Sequence, residues 1–207
     1  MSLKVLGIST SPRLKGNSDL LLREALTGAE SAGAQVEYLR LCDLEIGPCV
    51  ECNCCYTTGR CRVEDDYQVV LEKMLDADRL IFATPIFFMT VCSQAKMLID
   101  RGQCLWASKH ILKKPLFETG ERDRRAMVIA VGGSKSTKQF DSIRLTMKAY
   151  FDALDIKYFA NLFINKVDAR GMIKTHPSAL KEAFRLGKEF ASADTPLPEK
   201  SIDVMLT

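Results

Sequence analysis

The chain has 207 residues, 47% of them hydrophobic, with 29 Lys and Arg against 26 Asp and Glu and a formal net charge of +3. That length suits one domain with a sizeable core, and no Pro/Gly/Ser-rich linker or charge block divides it. The near balance of charge argues against a nucleic-acid footprint, and no apolar run reaches the roughly 18 residues that a membrane-spanning helix needs. The basic segments 109–114 and 122–125 read as solvated loops. The amino terminus lacks the apolar run and small-residue cleavage pattern of a secretion signal, so a cytoplasmic protein is expected. Eight cysteines in such a compartment point to metal or redox chemistry rather than to disulfides.

Residues 3–8 are a short apolar run ended by Ser9-Thr10-Ser11-Pro12, as for a buried strand entering a loop. From Ser18 the apolar positions switch to helical spacing, Leu22, Ala25, Leu26 and Ala29, and Gly33 stands where a helix stops. Residues 35–41 alternate as a second strand, a cysteine-rich segment follows at about 42–65, and 67–75 read as a short helix. The run 79–83 is a third strand and 91–106 a helix. Residues 126–131 are a fourth strand ended by Gly132-Gly133, 140–154 a helix and 156–164 a fifth strand. Residues 178–190 make a closing helix with Ser178 or Thr175 as its N-cap, and the Pro-containing tail after Asp194 reads as a loose end or a dimer arm.

Strands that alternate with helices and are apolar on both faces call for a parallel sheet covered on both sides. The expected fold is α/β, a five-stranded flavodoxin-like sheet in the order 2-1-3-4-5. It forms a single domain over residues 1–207, with the cysteine segment inserted after strand 2. Ligands of such a sheet bind outside the carboxyl ends of the strands, where the strand order reverses.

Within the insertion, Cys49, Cys52, Cys55 and Cys61 stand at C-x2-C-x2-C-x5-C spacing. A four-iron cluster is a compact cube that needs a thiolate at each iron; a loop returning a sulfur every third residue reaches three corners, and a longer reach supplies the fourth. Zinc is the main competitor. Structural zinc sites, however, usually pair two C-x2-C knuckles from separate segments, and three thiols at consecutive x2 spacing crowd one small ion. Cys54, beside Cys55, leaves the third ligand open between the two. Cys42, Cys92 and Cys104 have no partner at ligand spacing and read as small buried apolar residues. His110 and His176 stand apart from each other and from the cysteines. No Ser-His-Asp constellation or H-E-x-x-H motif is present, which disfavours a hydrolase.

The loop Ser9-Thr10-Ser11-Pro12-Arg13-Leu14-Lys15-Gly16-Asn17-Ser18 runs from strand to helix, where free backbone N–H groups and the positive end of the helix dipole suit a phosphate. Ser9, Ser11, Asn17 and Ser18 can donate to phosphate oxygens, and Arg13 can add a charged contact. The same residues also cap helices, and the loop alone is compatible with both roles. The absence of G-x-x-x-x-G-K-[ST] disfavours a nucleoside triphosphatase, and the absence of G-x-G-x-x-G weakens a dinucleotide reading.

Gly7-Ile8-Ser9-Thr10-Ser11-Pro12-Arg13 with Gly16-Asn17-Ser18 resembles the phosphate loop of the NADPH-dependent FMN reductase group. The four-cysteine motif after the second strand resembles one branch of it, the iron-sulfur flavoproteins. The resemblance covers most of the chain and implies one FMN and one 4Fe-4S cluster per protomer, and a homodimer or homotetramer. It chooses Cys55 over Cys54 as ligand. It also implies ferredoxin or a similar carrier as electron donor, and a small oxidant or a further carrier as acceptor. Thr84-Pro85-Ile86-Phe87-Phe88 resembles the family's flavin-ring loop, and Gly132-Gly133-Ser134 occupies the equivalent position after the fourth strand. By composition alone Phe87 and Phe88 also suit a core, and the glycines a turn. Lys96 and Asp100 read as a surface ion pair at i,i+4, with Arg101 beside them, on a helix that the resemblance puts near the flavin. Trp106 reads as core or interface. The expected activity is that of an electron-transfer oxidoreductase with no catalytic acid or base. The rivals are an NAD(P)H-dependent FMN or quinone reductase whose cysteine loop binds zinc or no metal, and a redox-sensing binding protein.

Overall fold

The computed structural model describes residues 2–117 and 122–207. In chain order the elements are β1 (Lys4–Ser9), α1 (Asn17–Ser31), β2 (Gln35–Arg40), α2 (Cys55–Thr58), α3 (Tyr67–Asp76), β3 (Arg79–Phe87), β4 (Thr90–Val91), α4 (Ser93–Arg101), α5 (Gln103–Trp106), β5 (Arg125–Val131), α6 (Gln139–Ala153), β6 (Lys157–Ile164), α7 (Ala179–Phe190) and β7 (Ile202–Leu206). A π-helical turn, Ala107–Ile111, follows α5. The main sheet runs β2-β1-β3-β5-β6-β7, and its neighbouring strands are all parallel.

Alternation along the strands divides the core into two layers. Leu6, Ile8, Phe82 and Val128 face α3, α4 and α6. Val5, Ile81, Met127 and Ile129 face α1 and α7. Helices α1 and α7 pack backbone to backbone: a Cβ on Gly187 would lie 1.9 Å from Ala25 O, and one on Gly28 would lie 2.1 Å from Phe184 O.

The flavodoxin-like class is as expected, but the sheet has six parallel strands rather than five. The tail expected to be a loose end or a dimer arm returns as β7 along the edge of β6 of its own chain, with Ala160 opposite Ile202 and Ile164 opposite Leu206. Val204 and Leu206 pack on the core, and Asp203 accepts bonds from Asn161 Nδ2 at 2.8 Å and Arg144 Nε at 2.9 Å. Strand β3 extends past Ala83 because Thr84 and Pro85 still pair with Ala130 and Val131. It then reverses through Phe88 and Met89 into β4, with Phe87 opposite Thr90. Both turn residues have positive φ, 47° and 66°, the handedness that two-residue hairpins require. The helix expected over 91–106 divides at Gly102 into α4 and α5.

Ser178 occupies the N-cap position of α7, as one of the two expected candidates, but makes no capping bond with its side chain. The imidazole of His176 caps the helix instead, its Nδ1 accepting the N–H groups of Ser178 and Ala179 at 3.3 and 3.2 Å. Among the described residues, no helix is long and apolar enough to cross a membrane.

Candidate functional site

The carboxyl ends of β1, β3, β5 and β6 meet at a small cleft lined by Ser11, Arg13, Gly16, Asn17, Ser18, Pro85, Ile86, Phe87 and Gly133, together with Pro12, Val131, Val167 and Asp168. Five candidate residues fall outside this lining. Ser9 and Thr84 are buried beneath it, Phe88 stands fully exposed at the hairpin tip, and Gly132 and Ser134 lie alongside. Space for a Cβ on Gly132 is taken by Gln139 Oε1, and that on Gly133 faces Asp168, so protein side chains already account for these two glycines. Val167 and Asp168 were not anticipated; their only signal is their place after β6, at the same end of the sheet.

Side-chain capping does not explain the loop after β1. Gly16 holds the N-cap of α1 with no side-chain bond, while Asn17 and Ser18 lie inside the helix. Asn17 Nδ2 donates to Ala169 O at 2.9 Å and its Oδ1 accepts from Ile173 N at 3.2 Å; Arg13 Nη1 donates to Asp168 O at 3.1 Å. These two side chains therefore fasten the loop to the segment after β6. Thr10 N and Oγ1 both donate to Ala83 O at 3.0 Å, which fixes the loop against β3. The Ser18 hydroxyl is buried, lines the cleft and has no hydrogen-bond partner among the described residues. An orphaned hydroxyl beside a helix N-terminus fits an anionic ligand that would satisfy both. Behind it, the buried Asp19 carboxylate accepts from Tyr38 Oη at 2.5 Å and Arg23 Nε at 3.2 Å. Burial pushes its pKa up, but these bonds more than offset that and leave it below the usual carboxylate range.

The cysteine insertion lies on the α3/α4/α6 side of the sheet. Its base is closed where Glu45 N donates to Asp66 Oδ2 at 2.7 Å and Gly47 N donates to Asp65 Oδ2 at 2.9 Å. Glu51 and Asn53, on either side of Cys52, have φ of 51° and 57°, so the backbone changes hand twice around that cysteine. Cys49, Cys52, Cys55 and Cys61 all line one cavity of about 600 Å³, together with Lys96, Ile99 and Arg101 of α4 and Tyr150 of α6. Cys54 is outside it, its thiol directed to Cys52 O at 3.7 Å. Among the described residues, no group of three or more metal-binding side chains is gathered as for a single ion. A spread of four thiols around a roomy cavity suits a multi-iron cluster better than one small ion. Burial and the neighbouring Cys104, Cys49 and Cys52 push the Cys55 thiol up, whereas the backbone N–H of Cys54 draws Cys52 down. Trp106, expected in a core or interface, is not in the core: it is partly exposed where it lines the cavity beside Tyr56 and His110, with ring centroids 6.4 and 5.4 Å away.

Arg101, with Lys96 and Asp100 a secondary candidate that the resemblance puts near the flavin and the subunit contact, ties the insertion to α4. It donates to Cys61 Sγ at 3.2 Å, Gly47 O at 3.1 Å, Asp65 Oδ2 at 2.6 Å and Val63 O at 2.8 Å. Lys96 and Asp100 pair at 2.7 Å and both line the cavity. Helix α4 begins directly after the β3–β4 hairpin and ends at Arg101, nine residues or about 13.5 Å later, so one rigid element joins the two sites.

A crevice at the switch point of a parallel sheet, between a polar loop after β1 and an apolar loop after β3, defines a flavodoxin-like protein. The model of the NADPH-dependent FMN reductase family matches residues 3–160. An iron-sulfur flavoprotein of Methanocaldococcus jannaschii is 37% identical over 91% of this chain and 96% of its own, and one of Methanosarcina thermophila is 30% identical over 69% and 70%. The fold matches a flavone reductase with a TM-score of 0.68 at 25% identity, over 91% of this chain and 62% of that longer one, less than two thirds of its length. The chain belongs to the NADPH-dependent FMN reductase family, on the iron-sulfur flavoprotein branch, and is an FMN-dependent oxidoreductase.

Proposed function

We propose that the protein is an electron-transfer oxidoreductase that holds FMN in the switch-point cleft and a 4Fe-4S cluster on Cys49, Cys52, Cys55 and Cys61. When bound, the flavin supplies a carrier of electron pairs and the cluster a carrier of single electrons, so together they couple two-electron to one-electron chemistry. The observation that carries the reading is that all four cysteines line one cavity while Cys54 does not, at the far end of the helix that starts beside the flavin loop. The Ser18 hydroxyl and the α1 N-terminus would hold the phosphate, and Pro85, Ile86 and Phe87 would flank the ring. The proposed donor is ferredoxin or a similar reduced carrier, the acceptor a small oxidant or another carrier, and the assembly a homodimer or homotetramer.

The family's description, NADPH-dependent FMN reductase, favours a second reading: FMN or quinone reduction by NAD(P)H, in which the cysteine loop would bind zinc or no metal. Metal, sulfide and flavin analysis of anaerobically purified protein separates the two. Iron and sulfide in about a four-to-four ratio per chain, with one FMN, supports the cluster; zinc without iron, or a metal-free loop with full NAD(P)H activity, supports the reductase.

A further inference from the structure

We propose that Arg101 is a positioning residue that fixes the fourth cysteine, Cys61, and raises the reduction potential of the cluster; this rests on the cluster reading above. Arg101 is 1% exposed, and its guanidinium directs three groups of donors at the insertion. Nη1 reaches Gly47 O before the first cysteine, and Nη2 reaches Val63 O after the last, so the planar fork clasps both ends of the loop. Asp65 Oδ2 at 2.6 Å is its carboxylate partner, and the Tyr67 ring lies beneath it, 4.5 Å from centroid to Cζ. Those contacts would suffice for a purely architectural arginine. The Nε donation to Cys61 Sγ at 3.2 Å goes further, because it places an N–H and a fixed positive charge on a sulfur that would be a ligand thiolate.

Reduction adds one electron and no proton, so it adds one negative charge to the cavity. Hydrogen bonds to ligand sulfurs, net charge and solvent exposure are the levers that set the potential of such a centre. A buried guanidinium is screened weakly and therefore favours the reduced state. Asp65 works against it, since its carboxylate neutralises part of the same charge. The two neighbours are thus levers of opposite sign, which a structural clasp would not be.

The test uses anaerobically purified protein, titrated with dithionite as the one-electron source while the cluster is followed by electron paramagnetic resonance. In Arg101→Gln the reduction equilibrium should fall about tenfold, a shift of about 59 mV for one electron. Arg101→Lys, which keeps the charge and loses the fork, should fall less. Asp65→Asn, whose amide oxygen in the place of Oδ2 can still accept from Gly47 N and Arg101 while the Tyr67 N bond to Oδ1 is lost, should rise. Unchanged potentials at full iron content, or shifts of the same sign in Arg101→Gln and Asp65→Asn, overturn the proposal. Should Arg101→Gln fail to retain iron, Asp65→Asn decides, and the absence of an upward shift there overturns it. Wild-type protein that lacks iron and sulfide would instead sink the cluster reading itself.

Discussion

Ser18 is 2% exposed, and its hydroxyl has no hydrogen-bond partner among the described residues. Leaving a buried hydroxyl unsatisfied costs about 1–3 kcal/mol, while a bond to a charged acceptor contributes about 1.5–3 kcal/mol. Ser18→Ala should therefore move two measurements in opposite directions. The flavin-free protein should become slightly more resistant to urea, and FMN affinity by fluorescence titration should weaken by about 1.5–3 kcal/mol. A loss of both would mean that the hydroxyl is structural. Asp19 gives a pH dependence whose sign is fixed by its partners. Its folded pKa lies below the ordinary 3.8, so its contribution to stability is complete above the unfolded value and lost as pH falls through the folded one. Asp19→Asn should flatten that acid limb of the stability profile, measured by thermal melts from pH 5 down to about pH 2.

At the scale of elements, the α1–α7 contact depends on two glycines where any side chain would collide with backbone. A Cβ on Gly187 meets Ala25 O, its carbon and its Cα, all within 2.7 Å, and none of these can swing aside. Gly187→Ala should force the helices apart and destabilise the fold by about 1–3 kcal/mol despite the gain in helix propensity. A urea midpoint equal to wild type would show that the interface has slack. The differences between sequence reading and structure also belong to this scale. Long apolar runs and a 3.6-residue period were enough for β1, α1, β5 and α6, because burial on both faces or on one stripe dictates them directly. Strand β3 was read short because Pro85 removes a donor and ordinarily ends a strand, whereas here the loss falls where the ladder is already finishing. Strand β7 was illegible because five residues of half-exposed alternation become a strand only when the edge of β6 is available to pair with them. His176 as the cap of α7 follows from the turn before the helix, and histidine carries no such preference on its own.

Across the whole molecule the two sites share no lining residue: the cleft draws on the ends of β1, β3, β5 and β6, the cavity on the insertion, α4, α5 and α6. That Cys49, Cys52, Cys55 and Cys61 belong together was legible because their C-x2-C-x2-C-x5-C spacing is a local pattern within thirteen residues, and the four do line one cavity. Arg101 as their partner was not, since it reaches Cys61 across 40 residues of sequence and only the packing of α4 brings it there. Physical separation of the sites predicts separable losses. Cys55→Ala should abolish iron and sulfide while FMN binds as in wild type, because the variant removes one ligand and leaves every cleft residue in place. Ser18→Ala should do the reverse, with iron content retained and flavin affinity reduced. Cys54→Ala should keep both, since its thiol faces Cys52 O and not the cavity. Iron analysis and FMN titration on the three proteins check the pattern. Iron lost in Cys54→Ala and retained in Cys55→Ala would reassign the third ligand, and loss of FMN in Cys55→Ala would mean that α4 transmits damage at one site to the other.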